Sequence, residues 1–334
     1  MDPLTQGVIG GIVAQTSASK EQIGKASLLG ALAGMAPDLD VLIRSANDPL
    51  LALEFHRHFT HSLFFIPFGG LICATVFYLL VAKRWQLTFK QILIWCTLGY
   101  ATHGLLDAFT SYGTQLLWPF SNLRVAWDGI SVIDPLFTLP ILVGLIAAAR
   151  TQSHRFATVA MVWGALYLSL GLIQHERALN LGKEIASSRG HLPERLEAKP
   201  SFANILVWKV VYEADNHFYV DAVRPGLSES KHWSGDNIPI LDIERDFPWL
   251  DPTSQQARDI ERFRWFSAGY IAADKTAPNS IIDIRYSMLP HEIKPLWGIR
   301  ISPTEDINHP ATYYTERNDS QTALEELIDM LEAI

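Results

Sequence analysis

The sequence predicts a mostly α-helical membrane protein, a polytopic transmembrane bundle followed by a soluble α+β domain. Three observations predict it. The long apolar runs are confined to residues 1 to about 174 of 334. From about residue 175 onward the chain reads as ordinary soluble protein, with short strand-like and helical segments. The apolar half also carries a few His and Asp residues in or beside the spans, where ionisable groups are costly unless paired, metal-bound or functional. The domains are therefore read as 1–175, a transmembrane metal-site domain, and 176–334, an extracytoplasmic α+β domain.

Bulk properties narrow the function. A formal net charge of −8 argues against non-specific nucleic-acid binding, which wants a basic surface. Cys73 and Cys96 both sit in apolar segments and read as buried small hydrophobes, with no disulfide framework and no CxxC spacing. The opening Met-Asp-Pro-Leu-Thr-Gln lacks the basic region of a cleavable signal, so the first segment is expected to stay in the mature protein.

The first two apolar segments, Leu4 to Ala14 and Ile23 to Ala36, are short for full spans. They are rich in Gly and Ala (Gly7, Gly10, Gly11, Gly30, Gly34), which suits close helix packing in lipid. Re-entrant, tilted and buried placements all remain open for them. Leu63 to Ala82 is the clearest span: it carries no charge and has about the ~20 residues needed to cross ~30 Å of hydrocarbon. Lys83 and Arg84 end it. Further spans run from about Gln91 to Phe109, Val132 to Ala149 and Phe156 to Gln174.

Positive charges orient these segments, because cytoplasmic loops are enriched in Lys and Arg. Lys20 and Lys25, then Lys83, Arg84 and Lys90, then Arg150 and Arg155 all fall on one side when crossings are counted. Each His/Asp motif then falls at the opposite, outer end, and the last span delivers residues 175–334 outside.

In that outer domain, Ala203 to Glu213 and His217 to Val223 read as a hairpin around Ala214-Asp215-Asn216. Ser254 to Ala268 reads as a helix, Ile281 to Met288 and Trp297 to Ile301 as strands, and Thr322 to Leu331 as a last helix N-capped by Ser320. The polar stretch Ser187 to Pro200 reads as a linker. His217, His232 and His291 lack ligand spacing and read as structural.

The chemistry lies in three motifs. Pro37-Asp38-Leu39-Asp40 places two carboxylates two residues apart. His56-Arg57-His58-Phe59-Thr60-His61-Ser62 brings two imidazoles to the entry of the next span. His103 and Asp107 are four apart, hence on one helix face. Taken singly, each has a plain reading: a helix end facing water, caps at Thr60 and Ser62, or a His and Asp satisfying each other. Taken together, Asp38, Asp40, His56, His61, His103 and Asp107 form a ligand set for one or two divalent ions, with zinc expected. Such an ion lowers the pKa of its water. Arg57 and Asp107 are the candidate catalytic residues, Arg57 because its planar fork suits phosphate. His58 ranks below His56 and His61. Asp128 reads as a ligand, a neighbour of the site or plain loop, and Asp134 as an N-cap ahead of Pro135.

These motifs, with Met1-Asp2-Pro3-Leu4-Thr5-Gln6, His103-Gly-Leu-Leu-Asp-Ala-Phe-Thr-Ser-Tyr-Gly113, Trp118-Pro119-Phe120 and Ile133-Asp134-Pro135, resemble the YdjM-type family of bacterial inner-membrane proteins, described as metal-dependent hydrolases. The resemblance covers roughly residues 1–175. It implies an inner-membrane, multi-pass protein with those six residues as the polar core of its site. Two departures stand out: Gln6 where many members have His, and His58 where many have Gly.

The leading expectation is a membrane-embedded metal-dependent hydrolase in which a metal-bound water attacks an ester or phosphoester; a site at the outer membrane boundary suits a lipid or lipid-linked substrate, and Arg57 a phosphate-bearing one. The bilayer is then its main partner. The alternative is a non-catalytic membrane protein with a structural polar or metal site and a partner-binding outer domain. No internal repeat, HExxH, GxGxxG or P-loop is present.

Overall fold

The computed structural model describes residues 1–316 and 320–333, with two compact units. The first comprises Met1–Leu42, Phe55–Ile173 and Phe202–Asn204; the second comprises Ile43–Glu54, Gln174–Ser201 and Ile205–Ile334.

The first unit is helical. Its elements are α1 (Pro3–Gln15), α2 (Ile23–Met35), α4 (Ile66–Trp85), α5 (Phe89–Ala108), α6 (Pro135–Thr151) and the first part of α7 (His154–Ser188); α3 (Leu51–Phe55) lies almost wholly in the second unit. Their starts follow from capping. Asp2 accepts from Thr5 N ahead of Pro3. Thr88 and Gln91 form a reciprocal capping box on α5. Asp134 caps α6 as expected, accepting from Phe137 N, and its other oxygen accepts from the Tyr167 hydroxyl at 2.8 Å.

Small residues let α1, α2 and α5 approach closely, as their composition predicts. A Cβ on Gly99 would lie 2.2 Å from the Gly30 carbonyl oxygen, so only glycine fits there. Among the described residues, two helical stretches are by themselves long and apolar enough to cross a membrane, Leu63–Trp85 and His154–Ser188. The first leaves Ile72, Leu79 and Leu80 exposed, a flank suited to lipid rather than water.

The second unit is α+β. Two four-stranded antiparallel meanders follow chain order, β1 (Arg195–Pro200), β2 (Trp208–Ala214), β3 (His217–Arg224) and β4 (Lys231–Pro239), then β5 (Ile271–Ala273), β6 (Ser280–Asp283), β7 (Trp297–Arg300) and β8 (Thr312–Thr315). Helices α8 (Ile243–Asp246) and α9 (Gln255–Phe266) lie between the sheets in sequence, and α10 (Ser320–Glu332) ends the chain. Val211, Phe218, Val220 and Ile238 of the first sheet pack with Tyr270, Ala272, Ile282 and Ile284 from the second sheet and its flanks. On another face, Ala323, Leu327 and Met330 of α10 cover Val207 and Ala222.

The predicted hairpin is present. Ala214 pairs with His217 across Asp215 and Asn216, both at positive φ, which matches the twist of the flanking strands. The stretch expected as a linker is not one. Helix α7 continues past Gln174 to Ser188, burying Ala178 and Ala186, and β1 pairs along its length with β2. The charges that suggested a linker neutralise each other there, Glu197 with Lys199 at 2.9 Å. β4 and β8 escape the hydrophobic pattern because they are mostly polar or half-exposed strands. The strand expected to start at Ala203 begins at Trp208, and the one expected over 281–288 stops at Asp283. The N-cap expected at Ser320 concerns a side chain outside the described residues.

Candidate metal centre

Three segments of the first unit meet at the site. After α2, a 3-10 stretch from Ala36 to Leu42 turns Asp40 inward, 3 % exposed, and Leu39 outward, 63 % exposed. The stretch from His56 to Ser62 is bound on both sides. Tyr100 donates to the Thr60 carbonyl at 2.8 Å, Leu63 N donates to the Leu116 carbonyl, and Ser62 caps the turn that leads into α4. Helix α5 supplies His103 and Asp107 from one face, both fully buried. Gly104 makes the contact possible: a Cβ at this position would lie 2.1 Å from the His61 carbonyl oxygen.

Four candidate ligand atoms converge. Nε2 of His61 and Nε2 of His103 are 2.8 Å apart. Oδ1 of Asp38 lies 3.5 Å from His61 Nε2 and 3.3 Å from His103 Nε2. Oδ2 of Asp107 lies 3.3 Å from His61 Nε2 and 3.6 Å from His103 Nε2. Four N/O ligands around one zinc at ordinary bond lengths stand about 3.3–3.6 Å apart along the edges of their tetrahedron. Four of these five separations match, and the His–His pair is tighter. Oδ2 of Asp107 is buried and completes no well-aligned hydrogen bond. The donor set therefore fits a divalent ion.

The surrounding groups fix these ligands. His103 Nδ1 lies 2.6 Å from the Gly34 carbonyl oxygen, which only accepts, so this nitrogen carries the proton and Nε2 is left as a lone pair. His61 Nδ1 faces Asp40 Oδ2 at 3.3 Å and the Thr60 hydroxyl at 3.0 Å. Burial pushes the Asp38 carboxyl up, but the facing His103 and His61 imidazoles outweigh it and hold it well below the usual carboxylate range. Asp107 Oδ1 accepts from Gln6 Nε2 at 2.9 Å and from the Met1 amino group.

Asp38 also belongs to a second group with Asp40 and His56, whose ligand atoms lie within 4.8 Å of one another. His56 Nδ1 sits 2.9 Å from Asp40 Oδ1. This is the more open edge, with the His56 side chain 25 % and the Asp38 side chain 19 % exposed.

Arg57 is buried and committed. Its Nε lies 3.1 Å from Asp107 Oδ2, its Nη1 donates to the Thr110 hydroxyl at 2.7 Å, and its guanidinium stacks 4.9 Å over Tyr112. Its backbone takes φ of +63°, unusual for a side chain of this size; Arg57 N donates to Asp40 Oδ2 and its carbonyl accepts from Gln115 N. His58 turns away from both groups and packs against Phe55, Phe59 and Trp118. Asp128 joins neither ligand group, and Asp134 serves as the α6 cap. Sequence reasoning missed Thr60, Thr110 and Tyr112 as neighbours of the site. Gln6, singled out in the sequence only as a departure from the family resemblance, donates to the candidate ligand Asp107.

Residues 1–178, which hold every residue of both groups, match the YdjM inner membrane protein family. The chain is 31 % identical over 284 residues to the uncharacterized protein YfhP of Bacillus subtilis (strain 168), covering 82 % of this chain and 81 % of that one. It is 34 % identical over 111 residues to the inner membrane protein YbcI of Escherichia coli (strain K12), which covers 31 % of this chain and 60 % of YbcI. No solved structure matches at a significant level. With more than half its length matched and a relative aligned along most of both chains, this protein belongs to the YdjM inner membrane protein family.

Proposed function

We propose that the protein is a multi-pass membrane hydrolase that uses one or two divalent ions, zinc first among them, to cleave an ester or phosphoester of a lipid. The observation that carries the reading is the four-atom group of Asp38, His61, His103 and Asp107, in which the two imidazoles lie 2.8 Å apart and each stands 3.3 to 3.6 Å from both carboxylates. A divalent ion there would supply a Lewis acid and an acidified water. Gly34 and Asp40 orient the imidazoles. Gln6 and Arg57 hold Asp107, and the Arg57 guanidinium keeps a positive field beside the carboxylates. The half-open edge at Asp38 and His56 is where substrate enters, next to the exposed Leu39 and Leu42. Those two leucines and the apolar flank of α4 support an acyl-bearing substrate arriving from the bilayer.

In this reading α1, α2 and α4–α7 form the bundle, the basic loops face the cytoplasm, and the second unit lies outside. A structural polar network is the second reading, favoured by the complete burial of His103 and Asp107 and by the commitment of Arg57 to Asp107.

Elemental analysis of the detergent-purified protein tests the proposal, with His61→Ala/His103→Ala alongside. The expected result is one or two zinc or manganese ions per chain, lost in the variant, and metal-dependent turnover of phospholipid vesicles. A metal-free wild-type protein from metal-replete growth would sink it. Tight metal without turnover across ester and phosphoester panels would favour the structural network.

A further inference from the structure

The two ligand-bearing segments are joined by a stretch that packs elsewhere. After Leu42 the chain leaves the first unit, and it returns at Phe55; residues 43–54 belong to the second unit. Arg262 on α9 holds this stretch at two points. Its Nη1 and Nη2 donate to the two oxygens of Asp48, each at 2.9 Å, and its Nε donates to Glu54 Oε1 at 2.6 Å. The fork is set in advance by Asp259, a fully buried carboxylate that accepts from Arg262 Nη1 and from Gln255 Nε2 at 2.9 Å each, and from Ala311 N with its other oxygen. Asp48 in turn accepts from Leu50 N at the approach to α3.

The clamped stretch is flanked by Asp40 on one side and His56 on the other, two of the three ligands of the open edge, and Glu54 stands two residues before His56. An isolated surface ion pair would matter little. Here one planar guanidinium engages three carboxylates, one of them bidentately, a geometry that only arginine offers.

We infer that Arg262 is a positioning residue for the metal centre, and that the second unit acts on the site through the chain it holds. The inference rests on the metal reading above. Its physical basis is loop entropy: joining Asp48 and Glu54 through one guanidinium closes the segment between them, so the free chain between Asp40 and His56 falls from 16 residue steps to 8 before Asp48 and 2 after Glu54. That shortening is worth about twofold in the probability of closure.

Chelator competition on the full-length, detergent-purified, zinc-loaded protein tests this. The variants are Arg262→Ala, Arg262→Lys and Asp48→Asn/Glu54→Gln, with hydrogen–deuterium exchange over residues 41–57 read in parallel. Zinc should transfer to the chelator about twofold faster in Arg262→Ala and in Asp48→Asn/Glu54→Gln. Exchange over 41–57 should rise, and Arg262→Lys should fall between. The double variant leaves α9 untouched, so it carries the test if Arg262→Ala fails to fold. Release rates equal to wild type in both would overturn the inference while leaving the metal site standing. A wild-type protein that takes up no zinc would remove both, and that outcome is read before any variant is compared.

Discussion

Nε2 of His61 and Nε2 of His103, both buried side chains, face each other at 2.8 Å. Since His103 gives its other nitrogen's proton to the Gly34 carbonyl, the neutral ring presents a lone pair to its partner. Two imidazoles in this arrangement share either one proton or one cation. The adjacent carboxylates of Asp38 and Asp107 favour the cation. Replacing either His by Ala is therefore expected to lower zinc affinity by about 100-fold or more, above what loss of an outer partner costs. Competitive titration against a chelator measures it; affinity unchanged in both single variants would place the ion elsewhere.

Gly104→Ala should break the site without touching a ligand. The new methyl would stand 2.1 Å from the His61 carbonyl oxygen, so the His56–Ser62 stretch must move off α5. Overpacking of this kind costs roughly 1–3 kcal/mol. A fall in melting temperature together with loss of bound zinc is the expected pair, and retention of full zinc content would refute the packing argument.

Asp134→Ala should separate capping from chemistry. The substitution removes the cap of α6 and strands the Tyr167 hydroxyl, for a cost of about 1–3 kcal/mol. Zinc content should stay at the wild-type level. If zinc is lost while the protein remains folded, Asp134 belongs to the centre after all.

Lys209 gives the second unit a pH dependence. Burial in β2 lowers its ammonium from 10.5 to about 7, with Glu292 and Asp283 opposing weakly, while Nζ donates to Ser287 Oγ and the Glu292 carbonyl. Between those two values the unfolded chain binds a proton that the folded chain does not. Stability from this group therefore rises with pH, by up to ~1.4 kcal/mol per unit, from about pH 7 towards 10. Thermal unfolding across this range should show the rise in wild type and a flatter profile in Lys209→Met. Parallel profiles would mean that Lys209 stays charged when folded.

Membrane orientation is open to labelling, because the native Cys73 and Cys96 lie in apolar helices. Leu192 in the second unit is 90 % exposed. In intact cells, Leu192→Cys should react with a membrane-impermeant maleimide, whereas Gln152→Cys in a basic loop should not. The reverse pattern would invert the proposed topology.

What the sequence by itself determined is whatever depends on neighbours in the chain. The apolar run from Leu63 to Ala82 is long enough to cross a bilayer wherever it sits. His103 and Asp107 share a face because helical pitch requires it, Asp134 caps because Pro135 follows, and Asp215-Asn216 turn because both tolerate positive φ. What only the tertiary structure decided is distance between segments. That Asp38 lies 3.3 Å from His103, that Arg57 serves Asp107, and that His58 turns away from the ligand atoms follow from how α2, α5 and the His56–Ser62 stretch pack. The polar strand β4 was hidden for the same reason: what makes it a strand is the ladder it forms with β3, and no local hydrophobic pattern records that partner. Local sequence sets dihedral preferences and spacing; only close packing of glycine-lined helices brings groups tens of residues apart within bonding distance.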